Sequence, residues 1–368
     1  MRSRTLLPSA LLLGWCVVGN AAELTVSLDN PPGTGTVVFV LFDSANAFGD
    51  FRDPVRVLKR PLDGRAVYRI EHVPQGTYAL MVYYDENDND RIDKNFIGIP
   101  KEPLGFSNRY QPKGPPSYGR ASFVLEEGES RHFDVNLRRP LGKRGLLGVG
   151  VGIIARSSPY RDYDSGVYQV IPALSYNGER LQLFGPHIQF GLVGSGPWRL
   201  AATGRYRIGV YEEDESDFLM GMGDREDTFM AGLAIQAELP GGLDVSVRYE
   251  HDVLDEIGGG EARVELDKSF QVGAFRLSPG IGLNWLSSDL ANHDFGVPAG
   301  KAAADRPAYD LDDALGVESG LGIFLEIAPN WLVILNVSVE WLEDQITDSP
   351  LVEEDYIVKG FAAINYVF

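Results

Sequence analysis

A chain of 368 residues with a formal net charge of −19 has no basic footprint for a phosphate backbone, which excludes nucleic acid as a partner. Its length allows two domains of ordinary size. A mean hydropathy of −0.11 fits a barrel that reaches the bilayer through alternating strands rather than long apolar runs.

In chain order, Arg2 and Arg4 precede an apolar run from Leu6 to Val18, and Gly19-Asn20-Ala21-Ala22 follows it. A basic start, a short apolar stretch and small residues describe a secretory signal peptide over 1–22, cut after Ala21 or Ala22. The run is too short to span as a helix. It contains Cys16, the single cysteine, so a cut there leaves a mature chain without thiol chemistry. Lipid attachment at Cys16 fits badly, because the bulky Trp15 stands just before it.

Residues 23–138 read as a small β-sandwich domain. Strands are expected at 24–28, 36–42, 66–72, 77–84, 121–125 and 132–137, separated by Pro31-Pro32-Gly33, Asp63-Gly64 and Pro74-Gln75-Gly76. The stretch 85–120 is rich in Asp, Asn, Pro and Gly without periodicity, and is expected to be a long functional or metal-ordered loop. Within it Asp85, Asn87, Asn89 and Asp93 have the 1, 3, 5, 9 oxygen spacing of a calcium loop, with the Arg91 carbonyl at position 7. Asp90 stands where glycine is usual, and Phe96 where a bidentate Glu is usual unless Glu102 supplies a carboxylate. The alternative is a self-bonded Asx-turn loop without Ca2+.

A basic stretch around Arg138 to Arg144 marks a linker over 139–145. From 146 to 368 the pattern becomes one of glycine-rich alternating segments: 146–155, 166–177, 180–192, 198–211, 228–239, 243–253, 260–269, 272–285, 314–327, 330–342 and 356–368. These are eleven, whereas single-chain bacterial barrels have an even number of strands. Twelve is the favoured count and ten the alternative. The fold class is therefore all-β, a small sandwich followed by a transmembrane antiparallel barrel.

Trp331, Val333, Leu335, Val337, Val339 and Trp341 form one face of a strand, with a tryptophan at each end. At about 3.3 Å per residue and a tilt of roughly 45°, ten residues give ~25 Å of height, the lipid-facing band between two aromatic girdles. The last strand carries Tyr366 and the terminal Phe368 on one face, like the closing signal of outer-membrane proteins. Charges on the opposite faces belong inside, since they cannot face lipid cheaply. These are Arg199, Arg205, Arg207, Arg248, Glu250, Glu265 and Glu340. The interior they line is either a wet pore or a closed, salt-bridged one.

Catalysis finds little support. None of the five histidines lies in a metal-ligand pair, and His251 falls on the lipid face with Tyr249. Ser107 and Ser349 stand near acidic residues without a marked base or oxyanion donors.

Several pieces carry a resemblance. Pro159-Tyr160, then Tyr168-Gln169-Val170-Ile171-Pro172-Ala173-Leu174-Ser175-Tyr176, Gly221-Met222-Gly223-Asp224, Asp294-Phe295-Gly296-Val297, Asp348-Ser349-Pro350-Leu351-Val352 and Asn365-Tyr366-Val367-Phe368 follow one another in order. Over roughly 146–368 the chain resembles the family of the MltA-interacting protein (MipA/OmpV). The resemblance implies an outer-membrane barrel; one member is associated with scaffolding of murein-processing enzymes, others are discussed as porin-like. Pro74 to Ala79, Tyr84 to Asp93, and Asn95 to Asn108 make residues 23–138 resemble a secreted domain family of unknown function. The expected role is non-enzymatic cell-envelope organisation in the outer membrane. In it the front domain lies in the periplasm, and the partners are membrane lipid and murein-processing proteins. A porin-like channel for small solutes is the alternative, and a barrel enzyme acting on lipids the third reading.

Overall fold

The structure, a computed structural model, describes residues 22–163, 167–194 and 197–368. Apart from Ala22, which opens the first strand, the expected signal peptide lies outside the described residues.

The front domain contains β1 (Ala22–Leu28), β2 (Thr36–Phe42), α1 (Ala45–Asp50), β3 (Arg56–Pro61), β4 (Val67–Val73) and β5 (Gly76–Asp85). It continues with β6 (Leu104–Phe106), α2 (Tyr118–Ala121), β7 (Ser122–Leu125) and β8 (Ser130–Val135). One sheet has the order β4-β1-β8; the other runs β3-β2-β5-β6, with β7 also pairing with β5. Leu24, Val26, Phe39, Leu80, Phe123 and Phe133 fill the space between them. Strands β2 and β5 are buried on both faces, so they read as unbroken apolar runs rather than alternating ones. Their second face packs Val38, Phe42, Met81 and Tyr83 against Phe48 of α1, Phe106 and Tyr110. The 85–120 stretch is thus no bare loop, since it carries β6 and α2.

The barrel comprises β9 (Leu146–Arg156), β10 (Val167–Asn177), β11 (Leu181–Phe184), β12 (His187–Val193), β13 (Trp198–Arg207), β14 (Thr228–Leu239) and β15 (Leu243–Asp252). After these come β16 (Gly260–Lys268), β17 (Phe270–Val272), β18 (Phe275–Leu286), α3 (Ser288–Phe295), β19 (Ala314–Ala328), β20 (Trp331–Leu342), α4 (Asp344–Thr347) and β21 (Tyr356–Val367). Neighbouring strands pair antiparallel, β17 continues β16 beyond Ser269, and β21 pairs with β9, so twelve strands close on themselves. The twelfth strand comes from the 180–192 segment, which is two short strands folded at Gly185-Pro186.

Leu147, Val149, Val151 and Ile153 of β9, Leu335 and Val337 of β20, and Val358 and Ile364 of β21 point outward and exposed, as period-two alternation requires. One end of the barrel has short turns, such as 240–242 and 329–330; the other has long excursions at 208–227, 287–313 and 343–355.

Candidate functional site: a lumen closed at both ends

The inward faces of β13, β15, β16 and β18–β21 carry the charges, and these pair across the interior. Arg205 Nε lies 3.3 Å from Glu250 Oε2, and its Nη2 also bonds Glu261. Arg263 grips Glu318 through two bonds of 3.0 Å, and its Nε lies 3.3 Å from Glu265. Lys359 reaches both Glu318 (3.1 Å) and Glu340 (2.6 Å), and Asn284 donates to the same two carboxylates. Such two-point contacts are the strong form of charge-assisted bonding. Arg248 approaches Glu250 only at 4.0 Å. Arg199 sits nearer the short-turn end, 3.2 Å from Glu238. The structure therefore places the seven charges expected in the lumen inside it. Arg156, Asp294, Glu318 and Lys359 join them, with the polar Asn284 beside them; Asp294, Glu318 and Lys359 meet partners from strands far away in sequence.

Over the long-loop end the excursions pack into a lid. Tyr160, Tyr211, Leu219, Met222, Phe295, Val297, Ile346, Leu351 and Val352 form a buried apolar cluster. The Tyr160 and Tyr211 rings stand 4.8 Å apart edge-on, and Ser349 Oγ donates to the Phe295 carbonyl at 2.6 Å. Asp294, at the C-terminal end of α3, accepts from Arg207 Nη2 at 2.5 Å and pins the lid to the top of β13. Burial raises the Asp294 carboxyl, but the Arg207 guanidinium and His293 beside it more than offset this, so it is held below the ordinary carboxylate value. Four of the scattered pieces that carry the barrel resemblance, around Tyr160, Met222, Asp294–Val297 and Ser349–Val352, thus meet in this lid.

The front domain covers the short-turn end. Its segment 94–100 enters the mouth, where Phe96 is buried against Gly191; a Cβ at Gly191 would stand 2.6 Å from the Phe96 ring. Asn95 Nδ2 donates to the Gly178 carbonyl at 3.2 Å. Lys94 and Arg52 both reach Glu238, at 3.2 and 3.4 Å. Around the rim, Arg276 Nη2 bonds Asp50 at 2.7 Å, Tyr110 Oη donates to Glu326 at 2.8 Å, and Lys113 Nζ donates to the Phe368 carbonyl at 3.1 Å. A chamber of about 600 Å³ lies between this domain and the charged belt above it.

The 85–93 loop leads straight into the inserted segment. Asp85 accepts from the Asn89 and Asp90 N–H groups at 3.1 and 2.9 Å, while Asn87 Nδ2 and Asn89 Nδ2 donate to Asp93 at 2.8 and 3.1 Å. The Arg91 N–H donates to Asn89 Oδ1 at 3.0 Å. Buried Glu102 accepts from the Glu86 and Asp93 N–H groups at 3.0 and 3.1 Å. Burial raises the Glu102 carboxyl above its ordinary value, and Asp85 and Asp93 add to this. Among the described residues no three His, Cys, Asp or Glu side chains group to hold a metal. The loop is closed by its own hydrogen bonds.

Trp331 packs on Tyr366 (5.2 Å) and Tyr366 on Phe368 (5.0 Å), making an aromatic cluster at the short-turn end; Trp341 stands exposed toward the other end of β20. Ser107 is buried, accepts from the Leu80 N–H and donates to the Ala121 carbonyl; Ser349 serves the lid. His251 stacks on Tyr249 on the outer face.

Residues 149–368 match the family described as the MltA-interacting protein MipA. The chain belongs to that family. It is similar to outer membrane protein Omp26La of Vibrio anguillarum, 29% identical over 59% of this chain and 85% of that protein. It is likewise similar to the MltA-interacting protein of Escherichia coli K12, 27% identical over 60% of this chain and 89% of that one. Among solved structures, the NanC porin matches 60% of this chain and 98% of its own at 10% identity, with a TM-score of 0.30. Residues 28–132 match an uncharacterized protein family conserved in bacteria (DUF2141). The family and its curated relatives identify this chain as an outer-membrane β-barrel protein.

Proposed function

We propose that this is a non-enzymatic outer-membrane scaffold whose front domain lies in the periplasm and presents a surface to a murein-processing protein. The observation that carries the reading is closure at both ends: a lid on one side, a docked domain on the other, ion pairs between. Short turns face the periplasm in bacterial barrels, and the front domain covers the short-turn end. The domain contacts the rim through α1, α2 and the 94–113 region. Its other sheet turns a polar face away, where Arg69, Thr25 and His132 are cross-strand neighbours. The name of the Escherichia coli relative supports the choice of partner.

The test is capture of a purified lytic transglycosylase by the full chain in detergent. Wild type should retain it, and the double change Thr25→Glu with Arg69→Glu should lose it while the barrel stays folded. No retention by wild type would overturn the reading.

For the 85–93 loop we propose calcium on its donor set: the Asp85 and Asp93 carboxylates, the amide oxygens of Asn87 and Asn89, and the Arg91 carbonyl. The ion would displace two amide–carboxylate bonds, so the net gain is small.

A further inference from the structure

The barrel wall has a gap. Strand β11 has four residues and pairs with β10 only at Ser175–Asn177; the hairpin ends where the Gly185 N–H meets the Leu174 carbonyl at 3.1 Å. On its other side the Tyr206 N–H reaches the Pro186 carbonyl at 3.1 Å. Beyond this tip β10 runs on to Val167, so among the described residues 167–173 have a strand partner on the β9 side alone. At about 3.3 Å per residue that unpaired edge is roughly 23 Å long. It lies in the half of the wall nearer the lid. Side chains on it are unusually open: Tyr168 is 76% and Val170 70% exposed.

Behind the gap lies a cavity of about 340 Å³ whose lining includes Pro186 and Tyr206 at the gap and Arg156, Arg207 and Arg248 inside. Arg207 is only 9% exposed, and its Nη1 is a buried donor without a partner; so are Arg156 Nε and Arg248 Nε. Buried unpaired donors are costly, and three guanidinium groups facing one space call for an anion with several acceptor oxygens. Both mouths are covered, while the gap faces the membrane. We propose that this cavity binds the phosphate headgroup of an amphiphile entering sideways between β10 and β13, with its apolar chain left outside along Tyr168, Val170 and Leu174. The chain stays in an apolar medium and the phosphate meets planar, bidentate donors.

The test uses the full chain in dodecyl maltoside micelles, titrated with dodecyl phosphate and read by native mass spectrometry. One dodecyl phosphate per barrel should be retained. Arg156→Gln and Arg248→Gln, at positions without a close ion pair, should each weaken retention on the order of tenfold, with heat-modifiability of the folded band as the control. Inorganic phosphate should fail to displace the amphiphile at equal concentration. Unchanged retention in both folded variants would overturn the proposal. So would displacement by inorganic phosphate, which marks a soluble-anion site, or no retention by wild type. If a variant fails to fold, the wild-type competition alone decides.

Discussion

The two ends of this barrel are closed by different chemistry. The lid is a continuous apolar cluster contributed by four separate excursions, with the buried ion pair Arg207–Asp294 fixing it to the wall. The front domain instead meets the rim mainly through ion pairs and hydrogen bonds, at Glu238, Asp50, Glu326 and the Phe368 carbonyl, with Phe96 as its apolar insert. Apolar burial has no charges for salt to screen, whereas partly exposed ion pairs are weakened by it. One closure is built as part of the barrel; the other is a separately folded body held by contacts that solvent conditions can weaken.

The largest expected effect is at the lid's ion pair. Asp294→Ala leaves the Arg207 guanidinium buried without its carboxylate, a loss of about 3–5 kcal/mol. The excursion at 208–227 should become open to protease and the heat-modified band should shift at lower temperature, while protection of the 94–113 region stays as it was. Loss of both protections together would show that the two closures are not independent.

The wall between them gives the next test. Leu335→Arg places a cation on the lipid face and should cost ~2–4 kcal/mol of barrel stability, whereas Asn336→Arg faces the lumen and avoids that cost. Equal assembly of the two variants would reverse the assignment of faces. At the domain junction, Glu238→Gln weakens the contacts of Lys94, Arg52 and Arg199 at once. Each pair is partly solvated, so a total of roughly 1–2 kcal/mol is expected. Molar salt should likewise expose 94–113 to protease, and neither treatment should expose 208–227.

Acid separates the closures further. Asp294 has a lowered folded value, so its contribution is present above the unfolded value of about 3.9 and disappears only as pH falls through the lower folded one. Glu102 has a raised value; its contribution is full below about 4.3 and fades as pH rises through the folded value. Between neutrality and about pH 4.5 the lid should not change, while the transition of the front domain should move upward as the pH drops. Calcium comes last. Millimolar calcium should raise that domain's transition slightly in the full chain, and Asp85→Ala with Asp93→Ala should abolish the rise. An unmoved transition in wild type would leave the loop a self-bonded turn.

Most of the barrel was legible in the sequence, because alternation over ten or more residues, as in β20, fixes which side chains face lipid. Strand β11 was not legible. Four residues hold two side chains per face, too few to show a period, so Leu181–Phe184 merged with β12 into one expected segment. In the front domain β3 escaped because its outward Lys59 and Arg60 look like a charged loop, and α1 because six residues cannot display a helical period. The inward charges could be identified, but their pairing could not. Arg207 meets Asp294 from a helix 87 residues away, and Glu318 gathers Arg263 and Lys359 from two other strands. The family pieces likewise looked unrelated along the chain, and only the fold brings Tyr160, Phe295 and Val352 together.

The central claim is that the resting barrel is closed at both ends. Planar-bilayer recording of the full chain at moderate salt tests it most directly. A silent barrel is predicted, with brief openings at most once molar salt loosens the front domain. Steady ohmic conductance from the intact, folded chain at moderate salt would contradict it.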